Sequence, residues 1–143
     1  MRLTAFTDYA LRVLIHLAVH GDSLCTIKEV AGGQGVSENH LMKVVHQLGR
    51  HGYVQTVRGH RGGIRLGMPA ERIIVGEVVR HFEENMAPVA CLAAGEHRCR
   101  IEPACVLKGA FGQALEAFLR ELDNVTLADV TTPRAALHAA IGG

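Results

Sequence analysis

Residues 35 to 67, GVSENHLMKVVHQLGRHGYVQTVRGHRGGIRLG, decide the fold of this chain. Ser37 can cap a helix here, because a serine hydroxyl accepts a hydrogen bond from the free backbone N–H groups of the first turn. Apolar side chains then recur at helical spacing, at Leu41, Val44, Val45 and Leu48. The stretch therefore begins with a predicted helix that has one buried and one polar face.

The polar face of this helix carries groups that can donate hydrogen bonds to phosphates or to the edges of bases. The predicted DNA-binding residues of this helix are the capping Ser37 and, on the polar face, Asn39, His40, Lys43, Gln47 and Arg50. This composition is typical of a recognition helix, although an ordinary solvated helix face can have the same residues.

Two helical patterns precede the recognition helix. The apolar spacing of Phe6, Ala10, Leu14 and Leu17 predicts a first helix from about Thr4 to His20. The sequence Thr26-Ile27-Lys28-Glu29 has the form of a capping box and predicts a short second helix that ends at Gly32-Gly33. A helix, a glycine turn and a second helix is the order of a helix-turn-helix motif.

The second part of the stretch predicts a β-hairpin. Residues 53–57 and 64–66 are rich in β-prone side chains, and the glycine-rich segment between them suits a turn. The tip is basic and contains Arg58, His60, Arg61, Gly62 and Gly63. A wing of this kind reaches the minor groove or the DNA backbone, where glycines permit close approach to phosphate. We therefore predict a winged helix-turn-helix domain over residues 1–85, in a chain that is mainly α with one small β-hairpin.

The distribution of charge also favours a polyanionic partner for the N-terminal half. Residues 1–67 carry eight lysines and arginines against four acidic residues, a net charge of +4. The whole chain has a net charge of only +1, so the remainder carries −3. Double-stranded DNA is the partner that this asymmetry and the predicted motif suggest together.

Residues 86–105 form a predicted loop with three cysteines, Cys91, Cys99 and Cys105. Deprotonated cysteine sulfurs are soft donors suited to iron or zinc. Iron–sulfur clusters and structural zinc sites usually have four ligands, so a further donor must come from elsewhere or a position stays open. Cys105 precedes a helix start, where the positive end of the helix dipole favours a thiolate.

A long apolar helix pattern covers residues 106–130. Its apolar side chains extend over about five turns, more than one small domain can cover, so we predict pairing with a second copy to give a homodimer. The alternative is a helix folded onto its own core. The tail, residues 131–143, is rich in alanine and glycine, and we expect it to be poorly ordered.

The first apolar run is too short to cross a bilayer and is interrupted by Arg12, His16 and His20, so we expect a cytoplasmic protein with reduced thiols.

The sequence has no nucleophile–base pair, nucleotide loop or acid pair. Three classes therefore stay open: a DNA-binding iron–sulfur sensor, a DNA-binding zinc or thiol switch that uses the same cysteines, and, least favoured, an iron–sulfur enzyme or electron carrier.

Residues 1–129 resemble the family of dimeric winged-helix iron–sulfur regulators that includes IscR, and within it the repressors that respond to nitric oxide. The resemblance covers MRLTAFTDYALRVLIHLA at the start, the recognition stretch, the three spaced cysteines and LDNVTLAD. It implies a repressor whose iron–sulfur cluster is attacked by nitric oxide, which frees genes for detoxification and nitrogen-oxide metabolism. The resemblance favours a 4Fe-4S cluster, with 2Fe-2S as the alternative. It also implies that Cys91, Cys99 and Cys105 are the cluster cysteines.

The resemblance leaves the fourth ligand open. The IscR branch has a histidine three residues after its last cysteine, whereas this chain has Lys108. Asp8 matches an aspartate that ligates the cluster across the dimer in some members, but it is equally a charge at a helix start. Glu96 and His97 are rival donors within the loop. We interpret Cys25, in the DNA-binding part, as a small buried residue of the core.

Overall fold

The computed structural model describes residues 2–95 and 99–141. Its helices are α1 (Ala5–His20), α2 (Ile27–Gln34), α3 (Glu38–Arg50), α4 (Val75–Phe82), α5 (Val106–Asp123), α6 (Leu127–Val130) and α7 (Arg134–Ala140), and its strands are β1 (Val54–Val57) and β2 (Gly63–Leu66). Short 3-10 turns lie at Ala70–Arg72, Ala90–Leu92 and Glu102–Ala104. The prediction of a mainly helical winged helix with one small antiparallel hairpin and a long C-terminal helix is confirmed.

The predicted helix caps are present at α2 and α3. The N–H of Glu29 donates to the Thr26 hydroxyl over 3.1 Å, and the Glu29 carboxylate accepts from the Thr26 N–H over 2.6 Å, which completes the capping box. The Ser37 hydroxyl accepts from the N–H of His40 over 3.4 Å. Each cap satisfies backbone donors that a helix start leaves unpaired, so both boundaries follow from local sequence.

The hydrophobic core is built around α1. One face of α1 is fully buried, and it packs against α3, α4, α6 and β2. From α3 the core receives the predicted apolar stripe, Leu41, Val44, Val45 and Leu48. Burial of this face on both helices fixes α3 with its polar residues outward.

The hairpin is attached to the turn between α1 and α2. Val54 lies opposite Leu66, and Thr56 lies opposite Ile64. The N–H of Cys25 donates to the Ile64 carbonyl over 3.0 Å, and the Ile64 N–H donates to the Cys25 carbonyl over 2.8 Å. The wing is therefore held at its base by backbone hydrogen bonds from the segment that leaves α1.

The chain after α5 packs back against the winged-helix core. Here the structure has two helices where the sequence analysis predicted one. The predicted helix over residues 106–130 ends at Asp123, and a new helix, α6, begins after Thr126, whose hydroxyl and Asp129 form a second capping box. Leu127 of α6 is buried in the core, and its N–H donates to the Ile73 carbonyl over 2.8 Å. The local reason for the break is this cap.

Within the described chain, α5 packs mainly against α4 and also contacts the 3-10 turn at Ala90–Leu92. Arg80 of α4 forms a two-point ion pair with Asp123, at 2.5 and 2.7 Å. Within residues 2–95 and 99–141, none of the residues of α5 is buried, and Val106 and Leu107 are 87% and 61% exposed. The larger apolar side chains further along the helix, Phe111, Leu115, Phe118, Leu119 and Leu122, are half-buried. The described part of one chain therefore covers the predicted apolar face only in part.

The tail differs from the poorly ordered segment that we expected. Residues Arg134–Ala140 form α7, and the Arg134 side chain donates from Nε to the Val19 carbonyl over 2.9 Å. Alanine has the highest helix propensity, so the composition that suggested a loose tail also suits a short helix. Among the described helices, none combines the length and apolar character needed to cross a membrane.

Candidate nucleic-acid interface and metal centre

The outer face of α3 presents most of the predicted DNA-binding residues. Asn39, His40, Lys43 and Arg50 are exposed, and Gln47 is half-buried. The His40 ring lies parallel to that of Tyr9, with centroids 6.4 Å apart, so α1 supports one side of this surface. Ser37 is also exposed, but its hydroxyl is the helix cap.

The wing brings its cationic residues to the tip of the hairpin. Arg58, His60 and Arg61 are exposed there. A side chain at Gly62 would overlap the carbonyl oxygen of Val57, and one at Gly63 would lie 2.8 Å from that of Cys25. These two glycines are therefore required by the turn itself, and their approach to phosphate stays a prediction.

The cysteine loop leads from α4 to the start of α5. Cys91 lies on the 3-10 turn at Ala90–Leu92 and is half-buried, Cys99 is exposed, and Cys105 is the half-buried residue that precedes α5. No side chain caps the first turn of α5. The structure places Cys105 directly before the helix start, and the stabilisation of its thiolate by the helix dipole stays a prediction.

Lys108 places a positive charge beside two of these cysteines. Its Nζ lies 2.5 Å from Oε1 of Glu102. The pKa of Lys108 is raised, first by this hydrogen bond and further by negative charge at Glu102, Cys91 and Cys105. From sequence we had only excluded Lys108 as a ligand. The fold brings its ammonium group close enough to Cys91 and Cys105 for an electrostatic interaction with both.

The donor types on the loop are suited to an iron–sulfur cluster, but among the described residues the structure does not gather the three loop sulfurs into one group of possible metal ligands. The three free thiols lie on one loop, and Cys105 is the residue that directly precedes α5. Asp8 instead pairs with Arg12, with Oδ2 and Nε 2.9 Å apart, and the cleft around it contains none of the three loop cysteines. Ligation by Asp8 therefore needs a second copy of the chain. Glu96 and His97 lie outside the described residues.

A different group of donors lies at the end of α1, where sequence reasoning proposed none. His16, His20 and Cys25 each present one ligand atom, and these atoms all lie within 4.8 Å of one another. The predicted burial of Cys25 is confirmed, since it is 4% exposed. Two histidines four residues apart on one helix, with a cysteine five residues later, were the signal in the sequence.

Comparison with known proteins identifies relatives over nearly the whole chain. The HTH-type transcriptional regulator NsrR of Geobacillus kaustophilus (strain HTA426) is 47% identical over 140 residues, which are 97% of this chain and 95% of that protein. The resemblance inferred from the sequence, to regulators of this kind, is confirmed.

Solved structures of two regulators share the fold. The structure of T. potens IscR has a TM-score of 0.74 and 25% identity, and the match covers 93% of this chain and 88% of that one. The oxidised form of Staphylococcus aureus CymR has a TM-score of 0.76 and 27% identity, with coverage of 92% and 97%. Residues 3–133 also match the model of the Rrf2 family, described as an iron-dependent transcriptional regulator. The chain therefore belongs to the Rrf2 family of transcriptional regulators.

Proposed function

We propose that this protein is a DNA-binding repressor that senses nitric oxide through an iron–sulfur cluster held by Cys91, Cys99 and Cys105. Loss of operator binding then permits expression of genes for nitric-oxide detoxification and nitrogen-oxide metabolism. The observation that carries the proposal is the placement of three free cysteines on one loop that leads directly into the start of α5. The name of the Geobacillus relative and the family description agree with it.

Double-stranded DNA is the proposed partner of α3 and the wing. Lys43 and Arg50 on α3, and Arg58 and Arg61 on the wing, are exposed and can contact phosphates. Gln47 and Asn39 carry amides that can pair with base edges in the major groove. The rigid attachment of both elements to α1 holds them as one surface.

A homodimer is the proposed assembly, and α5 is its proposed interface. Within the described chain none of the residues of α5 is buried, and Val106 and Leu107 are 87% and 61% exposed. Exposed apolar side chains at neighbouring positions are typical of an interaction surface. A second copy with the same helix covers that face by twofold symmetry. Two recognition helices then meet two half-sites of a palindromic operator.

The fourth ligand is proposed to be Asp8 of a second copy. A carboxylate is a harder and more easily displaced ligand to iron than a thiolate. When bound, the cluster, which we propose is 4Fe-4S, would supply iron to which nitric oxide can bind. The residues that hold it would join the loop and the start of α5 in one copy to α1 in the other. Without that shared group, the loop and the start of α5 in one copy would no longer be held against α1 of the other copy by the cluster.

The alternative is a zinc or thiol switch that uses the same three cysteines. All four cysteines of the chain are free, and Cys99 is exposed and therefore open to oxidation. The structurally similar CymR has been solved in an oxidised form. In this alternative the DNA surface and the dimer are unchanged, and only the chemistry of the loop differs.

Anaerobic purification followed by selection of operators from random duplex DNA tests the proposal. We expect a brown protein that contains iron and sulfide and that enriches one twofold-symmetric sequence. Replacement of all three loop cysteines by serine should remove the iron and sulfide. A colourless protein whose zinc content falls by one equivalent in that triple variant would support the alternative. Failure to enrich any sequence would contradict the repressor itself.

A further inference from the structure

The end of α1 and the turn after it form a small cleft that the proposed function does not use. The cleft has a volume of about 480 Å³ and is lined by His16, His20, Cys25, Glu29 and Ile141, among others. His16 and His20 lie one helical turn apart, and their rings are stacked with centroids 4.3 Å apart. The chain therefore returns at Cys25 to the same point where two imidazoles already meet.

His16 carries a buried nitrogen that needs a partner. Its side chain is 97% buried, since only 3% is exposed, and within the described chain Nδ1 has no hydrogen-bond partner. Buried polar atoms in native proteins are almost always paired, so an unpaired nitrogen that faces a cleft indicates a missing ligand. Cys25 and His20 are the groups nearest to supply the rest of such a site.

The tautomer of His20 is also fixed in a way that suits a metal ligand. Its Nδ1 lies 2.8 Å from the carbonyl oxygen of His16, an acceptor, so Nδ1 carries the hydrogen. The lone pair is then on Nε2. A second hydrogen bond that sets the tautomer and direction of the ring is a usual feature of histidines that bind metals.

Two of the proposed ligands are neutral in the empty cleft, and Glu29 adds one carboxylate to its lining. Burial, with a contribution from His20, lowers the pKa of His16 to about 4, so its imidazole is neutral and able to coordinate at pH 7. Burial and the nearby Glu29 carboxylate raise the pKa of the Cys25 thiol. A divalent cation reverses that balance, because coordination displaces the thiol proton to solvent and leaves a thiolate.

We propose that His16, His20 and Cys25 form a zinc site that is separate from the cysteine loop. Two imidazoles and one thiolate are donors that zinc prefers, and a tetrahedral ion would keep its fourth position toward the cleft, beside Glu29. Because the Cys25 backbone pairs with Ile64 of β2, the ion would tie the base of the wing to α1. The site therefore stabilises the DNA-binding unit without belonging to the cluster.

Cobalt titration of the full-length chain tests this site. Cys91, Cys99 and Cys105 are replaced by serine, so that the loop cannot bind the probe, and this makes the result independent of the proposed cluster. We expect one equivalent of Co²⁺ to give the thiolate charge-transfer and tetrahedral ligand-field absorption, and zinc to displace it. His20→Gln in the same background should weaken binding by at least about a hundredfold, since even the loss of a supporting hydrogen bond costs 10–100-fold.

A matched control and a second readout complete the design. His46→Gln removes an exposed histidine of α3 and should leave the titration unchanged. Zinc should raise the unfolding temperature of the triple serine variant but not that of the same protein with His20→Gln. The His20 side chain is only half-buried, so its replacement should leave the core intact. Absence of thiolate absorption, or equal cobalt affinity in the parent and His20→Gln, would overturn the proposal. Cys25→Ala in the same background should abolish the thiolate absorption. If that variant does not fold, the cobalt affinity of His20→Gln decides whether the site exists.

Discussion

The hydroxyl of Thr7, in the first turn of α1, donates a hydrogen bond to Oε1 of Glu83 over 2.5 Å, just beyond the end of α4. The same oxygen accepts from the N–H and the hydroxyl of Thr4, at 2.7 and 2.9 Å. Burial acts to raise the pKa of Glu83, but these hydrogen bonds outweigh it, so the pKa lies below its usual value. The contact holds the ends of α1 and α4 together at the point where the cysteine loop begins.

Glu83→Gln should lower the free energy of unfolding by about 1–2 kcal/mol at pH 7, because the threonine donors lose a charged acceptor. A carboxylate with a lowered folded-state pKa stabilises the protein above its unfolded pKa of about 4.3, and this stabilisation is lost as the pH falls through the folded value. Urea denaturation at several pH values should therefore show the difference between the two proteins closing below about pH 4. Glu84→Gln, at the exposed neighbouring position, is the control; an equal effect there would contradict the assignment.

Arg61→Ala and Gln47→Ala should weaken DNA binding in different ways. Removal of a phosphate contact at Arg61 should reduce affinity for all sequences and lower the salt dependence by about one unit of slope. Removal of a base contact at Gln47 should cost about 1–3 kcal/mol and relax preference at one base pair. The operator should have half-sites about one helical turn, ~34 Å, apart. Fluorescence anisotropy with operator variants measures both effects.

Arg72→Ala is the control for these DNA measurements. Arg72 lies on the 3-10 turn that packs against α6, apart from the recognition helix and the wing. Its loss should change affinity little. If Arg61 and Gln47 variants matched this control at all salt concentrations, the proposed DNA surface would be wrong.

The cluster ligands can be separated by single substitutions. Cys91→Ala, Cys99→Ala and Cys105→Ala should each prevent stable cluster assembly, whereas Cys25→Ala should leave the iron and sulfide of the loop in place. Asp8→Ala should change the absorption spectrum and the rate of reaction with nitric oxide without loss of all iron. Anaerobic absorption spectra with iron and sulfide analysis measure these changes. An unchanged spectrum and an unchanged nitric-oxide rate in Asp8→Ala would remove Asp8 from the site.

Leu107→Glu should dissociate the homodimer. The side chain is 61% exposed in one chain, so the substitution should cost little within the monomer and act mainly on the interface. Sedimentation equilibrium should show a dissociation constant raised at least tenfold. Gln113→Glu adds the same charge at an exposed position of the same helix and serves as the control. A dimer that is equally stable in all three proteins would place the interface elsewhere.

The predictions from sequence succeeded where the cause is local. The capping residues Thr26 and Ser37 and the apolar stripe of α3 act within one or two helical turns, so their consequences can be read from neighbouring residues. The hairpin followed for the same reason, from β-prone segments on either side of a glycine turn. These features were enough to predict the winged helix and the residues on its outer face.

The predictions missed what depends on contacts between distant segments. The packing of Leu127 against Ile73 could not be read from the sequence, because that contact joins residues 54 positions apart. The meeting of Cys25 with His16 depends on the course of the turn after α1, and the position of Lys108 beside Cys91 depends on the path of the loop. Turns and loops lack the repeating spacing of apolar residues that reveals helices and strands, so neither path can be read from the sequence.

The central claim is that the group held by the cysteine loop controls the geometry of DNA binding. Its most direct test is the operator affinity of the cluster-bound, nitric-oxide-treated and cluster-free protein, measured in one anaerobic buffer at one salt concentration. We predict that treatment with nitric oxide and removal of the cluster each weaken binding by about a hundredfold, which corresponds to about 2.7 kcal/mol, with no loss of helix content by circular dichroism. Equal affinity in the three forms would contradict the claim and leave the loop as a structural feature of a regulator that responds to another signal.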